Sequence, residues 1–158
     1  MCILGGSIGF TNNKILLQIL AGVLIAIGSL VVFMILPALF GINMSYIGNL
    51  DALAILYNFV YMMLAVALVE EIIFRGHLFK KLLDINGSKW LAILMSSALF
   101  GLLHIFNWNP WQIIVTAIIG VYWCVCREKI RHCSLLSLII AHALHNTIHP
   151  IIAAVLFG

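Results

Sequence analysis

The chain has 158 residues, 65% of them hydrophobic and only 8% charged, where an ordinary soluble domain carries about 25% charged residues. That composition excludes a water-soluble domain. A formal net charge of +3, spread over small groups with no basic patch or interleaved aromatics, excludes a nucleic-acid partner. What remains is an all-α, polytopic bundle of about five transmembrane helices, read as one membrane domain over residues 1–158, with the lipid bilayer as its first partner.

In chain order, a Gly- and Asn-containing lead ends at Lys14, and an apolar run extends from Ile15 to Phe40. About 20 apolar residues cross the hydrocarbon core, whereas a signal peptide has an apolar region of only about 7 to 15. Residues 15–40 are therefore the first transmembrane helix. Gly41 to Asp51 forms a connection without Lys or Arg. The second helix starts near Ala52, carries VEEIIFRG at 69–76, and continues amphipathically through HLFKKLLD until Asn86-Gly87 breaks it. Ser88 is the expected N-cap of a third helix, Trp90 to Phe106, in which Ser96, Ser97, Ala98 and Gly101 predict close helix packing. After Asn107-Trp108, Asn109 as N-cap and Pro110 as first helical residue open a fourth helix to about Cys126. The basic segment Arg127 to His132 leads into a fifth helix over Ser134 to Phe157, with a kink expected at Pro150. Residues 52–157 thus make the core that carries the polar motifs. Cys2, Cys124, Cys126 and Cys133 show no C-x-x-C spacing and are expected to be reduced packing residues. Trp90, Trp108, Trp111 and Trp123 fall near predicted helix ends, as an aromatic belt would place them.

Lys14, then Lys80, Lys81 and Lys89, then Arg127, Lys129 and Arg131 occupy alternate connections, while 41–51 and 107–110 hold neither Lys nor Arg. The positive-inside rule then sets the N-terminus in the cytoplasm and the C-terminus outside.

Against this background VEEIIFRG stands out. A charged side chain at mid-bilayer costs roughly 2.5 to 3.5 kcal/mol on insertion scales, so Glu70, Glu71 and Arg75 call for partners or a purpose. Counting 1.5 Å per residue from the nearest basic connection puts Glu70 at ~15 Å depth, His142 at ~16 Å, and His104 and Asn146 at ~22 Å. All four are compatible with one slab near mid-membrane. Phe100 and His104 share a helix face, as do His142 and Asn146, and Glu71 reaches Arg75 at i+4. Adjacent Glu70 and Glu71 point about 100° apart, so Glu70 is expected to face a reaction centre while Glu71, paired with Arg75, holds the helix; the reverse assignment is the alternative. A buried glutamate flanked by a histidine can take a proton from water, and His142 with Asn146 could hydrogen-bond the oxyanion forming on an amide carbonyl. Ser96 and Ser97 on the His104 helix offer a weaker route through a nucleophile.

In this order, E-E-x-x-x-R at Glu70, Glu71 and Arg75, F-x-x-x-H at Phe100 and His104, and H-x-x-x-N at His142 and Asn146 resemble the CAAX-protease and bacteriocin-processing (Abi) family of intramembrane proteases. The resemblance covers Glu70 to Asn146. It implies a helix bundle with a water-accessible site open to the cytoplasm and endopeptidase activity without a bound cofactor. It also implies Glu70 as the water-activating base, His104 as its partner, His142 and Asn146 as oxyanion donors, and Glu71 and Arg75 in support. Implied roles include bacteriocin maturation, self-immunity and peptide-signal processing on a membrane-associated peptide or protein. Separately, the small number of helices makes a second copy of the chain a candidate partner to complete the bundle. Two rival readings stand beside the resemblance: a zinc hydrolase using His104, His142 and Glu70 as ligands, though without H-E-x-x-H, and a non-catalytic immunity or transport protein. His145 and His149 are expected to pack, His77 to be solvated, Phe100 to line a pocket, and Met62, Met63, Tyr57 and Tyr61 to pack.

Overall fold

A computed structural model describes residues 9–11, 14–41 and 51–157. Most of the lead, Cys2 and nearly all of the 41–51 connection lie outside these. The described residues form no strand and five helices long and apolar enough to span a membrane: α1 (Ile15–Leu39), α2 (Ala52–Asn86), α3 (Lys89–Asn107), α4 (Pro110–Lys129) and α5 (Leu135–Phe157). The chain is an all-α integral membrane protein.

Local chemistry sets the helix ends. The Asp51 side chain accepts from Ala54 N at 2.8 Å, and Ser88 Oγ from Leu91 N at 3.3 Å. Asn109 Oδ1 accepts from both Trp111 N and Gln112 N, ahead of Pro110. Each cap satisfies backbone N–H groups that have no partner inside their own helix. Gly87, at φ 68°, closes α2 in the left-handed conformation that glycine adopts without steric cost. Three stretches, Val31–Ile35, Met62–Ala67 and Ile72–Leu78, widen to i→i+5 hydrogen bonding. The first lies just before Pro37, whose missing N–H breaks the regular ladder. The other two bracket Glu70 and Glu71, and such widened turns recur at functional sites. α5 runs on through Pro150 to Phe157.

The packing is pairwise. α1 lies along α5, α3 along α4, and α2 bridges the pairs, its middle on α5 and its end on α3. Lipid offers no hydrophobic driving force between helices, so small residues and polar contacts fix these crossings. A Cβ on Gly22 would meet the Ser137 carbonyl oxygen at 2.7 Å, and one on Gly101 would meet Ala117 Cβ at 2.7 Å. Ser96 and Ser97 are buried on the same α3 face, as expected; Ala98 is exposed, because one more residue turns it 100° away. Between α1 and α5, Gln18 is bound by Ser134 Oγ and, through its carbonyl, by Ser137 Oγ at 2.8 Å. Higher up, His145 Nδ1 lies 2.9 Å from Ser29 Oγ. Since Ser29 gives its hydroxyl proton to Ala26 O at 2.9 Å, His145 is the donor.

Two expectations change. Trp123 is 1% exposed and belongs to the core, not to an aromatic belt: α4 continues to Lys129, so Trp123 sits ~9 Å inside the helix end. Tyr57 and Tyr61 stack on each other with ring centroids 6.4 Å apart, but on the exposed outside of α2. Cys124 and Cys133 are buried, as packing cysteines should be.

Candidate active site

The motif on α2 folds into a charge cluster that its sequence only half announces. Glu71 and Arg75 are 0% and 1% exposed, with Arg75 Nη1 3.1 Å from Glu71 Oε1. The guanidinium carbon lies 4.0 Å from the centroid of Phe100, a contact worth about 2 kcal/mol when desolvated. Gly120 of α4 makes room for it, since a Cβ there would stand 3.0 Å from Arg75 Nη2. From the other side, Arg127 Nη1 donates to the Arg75 carbonyl at 2.6 Å. The expected Glu71–Arg75 pair is therefore present.

Glu71 also does something unexpected. The same Oε1 lies 2.9 Å from His142 Nδ1. A carboxylate beside a guanidinium accepts, so Nδ1 carries the proton and the ring presents Nε2 in the opposite direction. That nitrogen faces Glu70 Oε2 at 3.7 Å. His142, itself 3% exposed, is thus held between two glutamates on successive residues of α2, its plane supported by Trp123 at 4.6 Å between ring centroids.

Glu70 consequently has His142 as its histidine neighbour, where His104 was expected. Depth contains the signal: Glu70 and His142 were at ~15 and ~16 Å, His104 at ~22 Å. His104 instead donates from Nδ1 to the Phe100 carbonyl at 3.1 Å, packing edge-on to that ring. Asn146 shares its depth and points its Nδ2 toward Met62 Sδ at 3.9 Å, so Met62 is more than filler. The rings of His145 and His149 lie 5.7 Å apart at a 39° tilt; His145 is buried against α1, but both also line the same cavity as His142 and so do more than pack, and His77 is exposed.

His104, His142 and Asn146 line a cavity of about 680 Å³, with Phe100 as part of its wall. Glu71 and Arg75, 0% and 1% exposed, are shut off behind His142 and Phe100, whereas the Glu70 side chain is 18% exposed where it faces His142 Nε2. From His142 the lining passes Thr116 and His149 to Gln112, Trp111 and Asn109 at the α3–α4 connection, and no residue of the basic connections takes part. A cytoplasmic N-terminus and a cytoplasmic opening, both expected from sequence, therefore pull in opposite directions.

Among the described residues, Glu70 Oε2, Glu71 Oε2, Arg75 Nε and Nη2, and Trp123 Nε1 are buried without a hydrogen-bond partner in the protein. Such atoms in a dry core cost free energy unless a function or a water uses them. Among the described residues no three His, Cys, Asp or Glu side chains gather as a metal would require; His104, lying across Phe100 from the glutamates, is what separates the proposed zinc ligands. Trp123, Ser29 and Met62 were not singled out from sequence as neighbours of the site, since contacts between helices leave no local pattern.

A family model described as type II CAAX prenyl endopeptidase Rce1-like matches residues 52–148, a stretch that contains the whole cluster and most of the cavity. No curated protein and no solved structure matches the chain.

Proposed function

The chain belongs to the type II CAAX prenyl endopeptidase Rce1-like family, a family of proteases, and from that premise we propose that it is an intramembrane endopeptidase hydrolysing a membrane-associated peptide with water activated by Glu70 and His142. The observation that carries this reading is His142 held by Glu71 at Nδ1, 2.9 Å away, and facing Glu70 at Nε2, 3.7 Å away, at the inner end of a cavity. Glu71 fixes the tautomer, as an orienting carboxylate does in other hydrolases. Water entering past Asn146 gives its proton to the Glu70–His142 pair while its oxygen bonds to the scissile carbonyl carbon. The oxyanion takes a hydrogen bond from Asn146 Nδ2, whose thioether partner is weak and easily displaced. His104, with Nδ1 committed to the Phe100 carbonyl, keeps Nε2 for relaying the proton to the leaving amine as the C–N bond breaks. The expected roles of the two motif histidines are thereby exchanged. The N-terminus is proposed to be cytoplasmic, and bacteriocin maturation, self-immunity and peptide-signal processing are the settings such chemistry suits.

The test is a panel of short membrane-associated peptides with the parent, Glu70→Ala and His142→Ala. Each variant should fold and lose cleavage by about 10²–10⁴-fold, the usual scale of general acid–base catalysis. Folded variants that cleave like the parent would refute the assignment. Strong chelation should leave the parent active; loss of activity restored by zinc would point to the metal reading.

A further inference from the structure

Resting on that peptidase reading, we infer that the substrate enters from the extracytoplasmic side and is an uncharged internal segment of a peptide presented there. Of the eight Lys and Arg residues, Arg75 is buried within α2 and the other seven lie at one end of the bundle. The contacts tie that end together: Lys89 pairs with Glu128 at 2.6 Å across the α3 and α4 termini, Arg127 reaches the Arg75 carbonyl, and the Leu135 N–H donates to Gly9 O at 3.1 Å. Short connections with such a one-sided distribution mark the cytoplasmic face. The cavity lining runs to the other end, where it includes Asn109, Trp111 and Gln112, the first two of them exposed.

The lining chemistry limits what can occupy it. None of the lining residues is Asp, Glu, Lys or Arg, so a terminal carboxylate or a charged side chain would enter without a counter-ion, at a large desolvation cost. A neutral extended segment meets a better fit: its backbone N–H and C=O groups need partners at this depth, and Asn146, Gln112 and His149 are placed to supply them. A cut within an exported, membrane-bound peptide fits this cavity, whereas removal of residues from a free carboxylate at a cytoplasmic C-terminus does not.

The side of entry is tested by labelling with a membrane-impermeant maleimide, which needs no catalytic activity. Asn107→Cys, at an exposed position on the α3–α4 connection, should label in sealed right-side-out vesicles beyond the level of the parent chain. Asp84→Cys, exposed at the basic end, should label only after permeabilisation. The reverse pattern, or equal labelling of both from outside, overturns the inference. A neutral peptide that the detergent-solubilised protein cuts should then be cut in right-side-out vesicles only when supplied outside, and Asp or Lys next to the scissile bond should abolish cleavage. Cleavage from the inside alone, or indifference to the charge, overturns it as well. If the solubilised protein cuts nothing, the peptidase reading fails while the labelling still decides the side.

Discussion

The two halves of the bundle treat polarity in opposite ways. Toward the basic end, buried polar groups are charged and locked together: Glu71 with Arg75 and His142, Arg75 over Phe100, Arg127 on the Arg75 carbonyl. Beyond Phe100, the same helices present amide and hydroxyl groups, Asn146, Gln112 and Thr116, together with His104, around open space. Charges at membrane depth turn to the bundle interior and pair with one another, as Glu71, Arg75 and His142 do here, and the open space beyond them is lined without Asp, Glu, Lys or Arg. His142 belongs to both halves and links them, with Nδ1 in the ion cluster and its ring on the cavity. The division teaches that the cluster orients and the cavity binds, and it predicts that damage to each half will have a different signature.

The largest effect should come from Arg75→Leu. It leaves Glu71 buried with only His142 as a partner, and removing one member of a buried pair costs about 3–5 kcal/mol. Denaturant titration in detergent should show this loss, and adding Glu71→Gln should recover part of it by removing the orphaned charge. Unchanged stability in the single variant would erase the distinction between an ion cluster that holds the fold and a cavity that does not. Asn146→Ala, in the cavity half, should do the opposite. Its amide has only a weak sulfur contact, so stability should barely move, while turnover should fall about 10²–10³-fold, as when one oxyanion donor is lost. A matching drop in stability with intact turnover would make Asn146 a packing residue.

These contrasts were legible in the sequence to unequal degrees. The helix boundaries were readable because their signals are local: Ser88 and Asn109-Pro110 start helices and Asn86-Gly87 ends one. The Glu71–Arg75 pair follows from i, i+4 spacing alone. What could not be read was which face of an apolar helix turns inward, because a helix hydrophobic on every side carries no stripe. Hence Ala98 was grouped with Ser97, and Trp123 was assigned to the membrane interface. The exchange of His104 for His142 beside Glu70 has a different cause. Depth arithmetic separated the two histidines by ~6 Å, but the choice between them needs the lateral positions of α3 and α5, set by packing alone. The direction of the cavity likewise depends on which ends of α3, α4 and α5 diverge.

The smallest predicted effect probes the seam where the two halves meet α1. Ser29→Ala removes the acceptor of the His145 Nδ1–H while keeping the small side chain that the α1–α5 crossing requires. In membranes such interhelical hydrogen bonds average about 0.6 kcal/mol, because the separated helices find other partners. The variant should therefore lose only about that much stability in the same titration, and its turnover should stay near the parental value, since His145 is one turn from His142 and contacts neither glutamate. A large fall in turnover without a fall in stability would mean that the His145 tautomer is felt at His142 through Trp123, which touches both rings. In that event the ion cluster and the cavity would have to be treated as one coupled unit, with α1 as part of the active site.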